Sequence, residues 1–195
     1  THPNVELEVV GTDSVLDIEA GEADLAIRYM HAPPERLPAE ELFRDAFVAA
    51  CSPNILPDGN PITDLRELRH RTLINCYWSP ADENAPTWPR WLSWAREAFL
   101  AAPDLSELKF LSFREELHTI DAAVAGQGVI IISDLLIAQE LQSGALVKAM
   151  AMTRPGFGFY LVAAPAQLNR PLIDAFSSWA RSMAGTHTDG RPSRI

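Results

Sequence analysis

Ser112 to Glu115, reading S-F-R-E, is the stretch of this chain best suited to hold an anion. Ser112 with Glu115 three residues on has the spacing of a capping box, and the helix it opens would present free backbone N–H groups to a ligand. Leu117, Ile120 and Val124 fall at i, i+3 and i+7 on one face of that helix, and Gly126 is placed to stop it. The run V-I-I-I that follows is apolar and β-branched, as in a strand buried on both faces. It leaves Ser133 at the strand end where open α/β sheets bind ligands. Arg28 stands near the end of another apolar strand, D-L-A-I-R-Y, where a guanidinium could clamp a carboxylate or phosphate. A structural ion pair with Asp13 or Asp24 accounts for it equally well.

The patterns of catalysis and metal binding do not accompany these residues. There is no GxSxG elbow, Walker A loop, HExxH or paired His and Cys spacing, and the five histidines at 2, 31, 70, 118 and 187 are scattered. No catalytic residue, cofactor or metal is expected. Gly126-Gln127-Gly128 precedes a strand instead of following one, and Ile131 occupies the place of a third glycine, so a dinucleotide fingerprint is excluded. Glu115 and Glu116 suit the first turn of a helix, and Glu6 and Glu8 the wet side of a strand. Cys51 and Cys76 lie in separate apolar runs without a CxxC, which describes buried free thiols in a reducing cytoplasm.

The elements that must position these groups alternate between strand and helix. Val5 to Val10 alternates apolar and acidic residues as a half-buried strand, and Ser14 to Gly21 is a brief helix. Asp24 to Tyr29 and Leu42 to Cys51 are strands, and the Pro, Asn and Gly content of Ser52 to Pro61 marks a linker. Asp64 to Leu68 forms a helical turn, and Leu73 to Tyr77 a strand. A helix carrying Trp91, Trp94, Ala95, Ala98 and Phe99 near one side follows, its tryptophans a packing stripe and not a ligand box. Leu108 to Leu111 is a short strand, and Asp134 to Ser143 a helix stopped by Gly144. Leu146 to Met150 and Phe159 to Ala164 are strands separated by T-R-P-G-F-G. A last helix opens at Pro171 with Leu172, Ile173, Phe176, Trp179, Ala180 and Met183 as its stripe, and a polar tail runs from Gly185. Alternation of this kind predicts an α/β protein with mostly parallel sheets, and the lone strand and helix at the end predict a return to the first lobe.

Composition bounds the function. With 195 residues, 47% hydrophobic and a mean hydropathy of -0.03, the chain can bury a core as one domain or two small lobes. No apolar stretch approaches the roughly 18 to 20 residues of a membrane span. The formal net charge of -10, from 16 basic and 26 acidic residues, argues against holding nucleic acid unaided. Because the chain opens T-H-P-N-V-E-L without Met, it is expected to be excised from something longer.

Five segments together, G-E-A-D-L-A-I-R-Y, A-A-V-A-G-Q-G-V, L-Q-S-G-A-L-V, F-Y-L-V-A-A-P and A-F-S-S-W-A, carry a resemblance over nearly the whole chain, from His2-Pro3 to about Met183. It resembles the effector-binding domain of LysR-type transcriptional regulators, in the branch of the glycine-cleavage activator and the β-lactamase regulator. The resemblance implies a periplasmic-binding-protein-like fold of two α/β subdomains, residues 1–52 with 163–195 and residues 53–162, with crossover segments near Phe47 to Cys51 and Tyr160 to Val162. It implies a small effector, such as an amino acid or other small anion, bound between the lobes. Carried over by position, the site would use Thr12, Asp13, Arg28 and Tyr29 from the first lobe. The second would supply Tyr77, Trp78, Phe113, Arg114, Glu115 and Ser133.

Other expectations follow from the same resemblance. The parent protein would be a cytoplasmic homodimer or homotetramer that meets DNA only through a winged helix-turn-helix absent from this chain. The family's strand and helix ahead of the H-P-x-(I/V) segment are absent too, which predicts a first subdomain short of a strand, an incomplete pocket and weakened dimerisation. The same architecture would also serve a solute-binding protein of a transport system, the alternative of another class.

Overall fold

The computed structural model describes residues 5–12, 14–56, 59–78, 84–98, 100–168 and 170–188. Its strands and α-helices are β1 Leu25–Met30, β2 Ala39–Cys51, β3 Thr72–Cys76, α1 Trp88–Glu97, β4 Lys109–Phe113, α2 Glu116–Val124, β5 Val129–Ser133, α3 Ala138–Ser143, β6 Val147–Ala163 and α4 Pro171–Thr188. They are distributed over two units, Thr1–Phe43 with Gly158–Ile195, and Arg44–Phe157. The long strands β2 and β6 carry the chain from one unit to the other.

In the first unit β1 pairs antiparallel with the end of β6, from Leu25 opposite Ala163 to Met30 opposite Gly158. Ile18, Tyr160 and Val162 form its buried centre, with Ala26, Met30 and Leu37 against them. The Tyr160 hydroxyl donates to the Glu41 carboxylate at 2.7 Å, which satisfies the one polar atom that this buried ring carries inward. Helix α4 buries Ile173, Ser177, Ala180 and Ala184, at i, i+4, i+7 and i+11. The expected stripe is therefore rotated: Leu172, Trp179 and Met183 lie on the exposed side, Trp179 at 55%. Small residues let a helix approach a sheet closely, and here Ala and Ser mark the packed face where the larger apolar residues were expected to.

In the second unit the strands lie in the order β2, β5, β3, β4. β3 is parallel to β4 and to β5, whereas β2 is antiparallel to β5, with Phe47 opposite Ser133. Strand pairing is thus mixed, and the expectation of mostly parallel sheets is not confirmed, because β2 and β6 enter as antiparallel members. Every residue of β5 is buried. Val129 and Ile131 join Leu73, Trp88, Trp91 and Leu92 on one face, and Ile130 and Ile132 join Val48, Ile74, Ile120 and Ile137 on the other. A period of two splits the apolar run between two cores, as burial on both faces requires. Trp88 and Trp91 of α1 are core residues whose indole N–H groups donate to the Ile74 carbonyl and the Met150 sulfur.

Several local expectations are corrected. Residues 5–10 form no strand, and Val9 is 81% exposed; alternation makes a strand only where a neighbour supplies a ladder and a face to cover it. The helix expected from Ser14 is a single turn, in which the Asp17 carboxylate accepts from the N–H groups of Glu19 and Ala20. Ser112 is part of β4 and does not cap α2, whose N-cap is Glu115. On α2 the buried residues are Thr119, Ile120, Ala122 and Ala123, while Leu117 is 74% exposed and Val124 lies outward. The helix after β5 starts at Ala138, after a turn. T-R-P-G-F-G does not interrupt β6, because Gly156 sits where the Asp45 carboxylate packs against the strand and no side chain fits. Phe99, Asp13 and the tail from residue 189 lie outside the described residues.

Candidate functional site

Because β3, β4 and β5 run in the same direction, their C-terminal ends share one edge of the second unit. Tyr77 and Trp78 follow β3, Phe113 to Glu115 end β4 and begin α2, and Ser133 ends β5. This is the edge on which open α/β sheets hold ligands. Six of the positions inferred from the sequence therefore lie along it.

The local contacts order these side chains. The Tyr77 N–H donates to the Phe113 carbonyl at 2.9 Å, which extends the pairing of β3 and β4 by one residue. The Arg114 guanidinium lies over the Tyr77 ring, 5.6 Å from its centroid, and both side chains are exposed. Such stacking steers a cation without neutralising it. Trp78, Phe47 and Phe157 pack edge to face in a triangle, with centroids 5.6 to 6.3 Å apart. No side chain caps α2, so the capping role expected of Ser112 is unfilled, and the Glu115 carbonyl instead accepts from the Thr119 N–H and hydroxyl. Ser133 is 4% exposed, and its hydroxyl accepts from the Leu135 N–H at 3.3 Å.

In the first unit the corresponding residues are engaged locally. The Thr12 hydroxyl accepts from the Ser14 N–H at 3.0 Å, and Arg28 donates to the Leu16 carbonyl at 2.9 Å. Asp24, considered as a partner for Arg28, is 3.5 Å from Arg170. Tyr29 packs on Phe159, with centroids 4.7 Å apart.

Cys76, expected as a buried free thiol, is only half-buried, and the role of Asp134 escaped the sequence reading. Cys76, next to Tyr77, has its thiol pushed up by burial, with a hydrogen bond to the Thr119 side chain working in the opposite direction. Asp134 exchanges two hydrogen bonds with Ala46, its N–H to the Ala46 carbonyl and its carboxylate from the Ala46 N–H, both at 2.9 Å. An Asp directly after a strand was readable as a turn former, but its partner is 88 residues away. The two glycines near α2 are structural. Gly126 has φ +75°, and the bonds Gly126 N–H to Ala123 and Gln127 N–H to Ala122 complete a Schellman motif. A Cβ on Gly128 would lie 2.3 Å from the Thr72 carbonyl oxygen.

Among the described residues no group of three His, Cys, Asp or Glu side chains could hold a metal ion. A surface hollow of about 290 Å³ lies elsewhere, among Asp64, Arg66, Glu67, Arg69 and His70. Arg66 and Asp64 pair there at 2.6 Å, and the Arg69 side chain donates to the Arg66 carbonyl at 2.9 Å.

The model of the LysR substrate binding domain matches residues 1–185. The chain belongs to this family. As a LysR substrate-binding domain it is 27% identical over 179 residues to a glycine cleavage system transcriptional activator homolog of Haemophilus influenzae, covering 91% of this chain and 56% of that protein. The glycine cleavage system transcriptional activator of Escherichia coli is 23% identical over 191 residues, covering 96% of this chain and 58% of that one. The domain thus spans a little over half the length of these relatives. The effector domain of the transcriptional regulator AmpR of Pseudomonas aeruginosa shares the fold, with a TM-score of 0.71 at 24% identity over 97% of this chain and 86% of that one. Among the described residues no helix is long and apolar enough to cross a membrane.

Proposed function

We propose that this domain senses a small anionic or zwitterionic metabolite, such as an amino acid, on behalf of a cytoplasmic DNA-binding transcriptional regulator. The observation that carries the reading is the shared strand edge of the second unit. Along that edge lie Arg114 stacked on Tyr77, a helix N-terminus without a side-chain cap, Ser133, and Trp78 as one member of an aromatic triangle. A guanidinium and backbone N–H groups suit a carboxylate, and the apolar rings suit the rest of a small molecule. In the first unit Thr12, Arg28 and Tyr29 are the proposed effector residues.

In this account the domain performs no catalysis. Effector binding shifts the population between two conformations of the domain, and a homodimer or homotetramer conveys the shift to a separate DNA-binding domain. The relatives are transcriptional activators, which favours this reading over a transport receptor.

A thermal-shift screen of the twenty proteinogenic amino acids and small mono- and dicarboxylates tests it. Bound ligand stabilises the folded state by about 2.7 kcal/mol at a hundred times its Kd. At least one compound is expected to raise Tm, with the rise lost in Arg114→Ala. A ligand whose effect survives Arg114→Ala, Tyr77→Ala and Ser133→Ala alike would remove this edge from the site.

A further inference from the structure

Three consecutive residues of β2 are anchored where that strand leaves one unit for the other. Arg44 donates to the Gly156 carbonyl on β6 at 3.0 Å. The Asp45 side chain, 1% exposed, occupies the space over Gly156 so fully that a Cβ there would lie 1.8 Å from Oδ1. Successive strand residues point to opposite faces, so residues 44 and 45 grip one peptide of β6 from both sides. Ala46 completes the series through its paired hydrogen bonds with Asp134. The residue before Asp134 is Ser133, whose hydroxyl is held by the Leu135 N–H two residues on.

We propose that Asp134 relays the state of Ser133 to β2 and β6, with Ala46 as the receiving peptide and the grip of Arg44 and Asp45 on Gly156 as the output. The proposal rests on the effector reading of Ser133. A ligand oxygen that draws on the Ser133 hydroxyl shifts the turn from Ser133 to Leu135. Asp134 belongs to that turn and holds Ala46 by two bonds, so the shift passes to β2. β2 cannot move there without carrying Gly156, because the contact has no slack for a side chain and the Gly156 carbonyl is tied to Arg44. Asp134 and Arg44 are positioning residues in this scheme, and neither need touch the effector.

Hydrogen exchange of this chain, read by mass spectrometry without any ligand, tests the relay. Ser133→Ala is expected to raise exchange at residues 156–158 about tenfold while the β3 amides stay unchanged, a local opening and not a global one. Asp134→Ala, which removes the side-chain acceptor for the Ala46 N–H, is expected to do the same, and the double variant to add nothing. Leu73→Ala serves as the control that lowers stability throughout. Unchanged exchange at 156–158 in Ser133→Ala, or additive effects in the double variant, would overturn the relay. Because no ligand is used, that failure is separate from a failed effector screen.

Discussion

The guanidinium carbon of Arg114 stands 5.6 Å from the centroid of the Tyr77 ring. The charge that the proposed function offers to an anionic effector is thus oriented by the residue that follows the neighbouring strand. Planarity matters to this arrangement, since guanidinium both stacks on a ring and presents a fork to a carboxylate. Arg114→Lys keeps the charge and loses both properties. It is expected to weaken the effector found by screening about tenfold, and Tyr77→Ala by a smaller factor, since stacking contributes about 0.5–1 kcal/mol at exposed sites. Competition binding at fixed ionic strength checks the order.

Gly128→Ala should destabilise the second unit. Its added methyl carbon meets the Thr72 carbonyl oxygen at 2.3 Å, and a backbone atom cannot rotate aside. The parallel pairing of β3 and β5 must shift, at a cost of about 1–3 kcal/mol. Urea unfolding of the variant should show a lower midpoint with an unchanged slope.

Ile130→Ala and Trp179→Ser should differ sharply in spite of the residues' sizes. Ile130 is fully buried in the middle of β5, and its truncation costs about 2–5 kcal/mol. Trp179 is 55% exposed on α4, touching Phe176, so its loss should stay within about 1 kcal/mol. Tm values for the two variants check the contrast.

Two groups set pH behaviour at opposite ends. Hydrogen bonds from the Arg66 side chain and N–H hold the half-buried Asp64 carboxyl down at about 2. A depressed carboxyl favours the folded state above the unfolded value of about 3.9, and that contribution disappears as pH falls through about 2. An NMR titration should place the Asp64 midpoint near 2, and Arg66→Ala should return it toward the usual range. Burial raises the Cys51 thiol to about 11. Its contribution is complete below the unfolded thiol's value of about 8.5 and declines as pH rises toward about 11. Alkylation at pH 8 should leave Cys51 unmodified until the chain unfolds.

Strands whose character lies in their own residues were legible. V-I-I-I could only be buried on both faces, and β1, β2, β3 and α1 announced themselves by run length or helical spacing. Gly126 was legible because a helix stop needs a left-handed residue and φ is +75° there. What failed depended on distant partners. Pro155 and Gly156 looked like a loop because nothing nearby in sequence indicated that Asp45 fills the space above Gly156. Val5 to Val10 has a strand's pattern and no ladder. The packed faces of α2 and α4 were partly misjudged because close approach favoured Thr119, Ala123, Ser177 and Ala184 over bulkier neighbours. Of the candidate site, the positions along the shared strand edge came from the family resemblance, whereas the Arg114 to Tyr77 stacking and the Asp134 clamp required coordinates.

The most direct test of the central claim is a calorimetric titration of the best amino acid or carboxylate from the screen into this chain and into Arg114→Ala, side by side. One saturable site is expected in the parent chain, with at least a tenfold loss of affinity in the variant, about 1.4 kcal/mol. Equal affinity in the two proteins would contradict it, and so would the absence of saturable heat for every compound in the class.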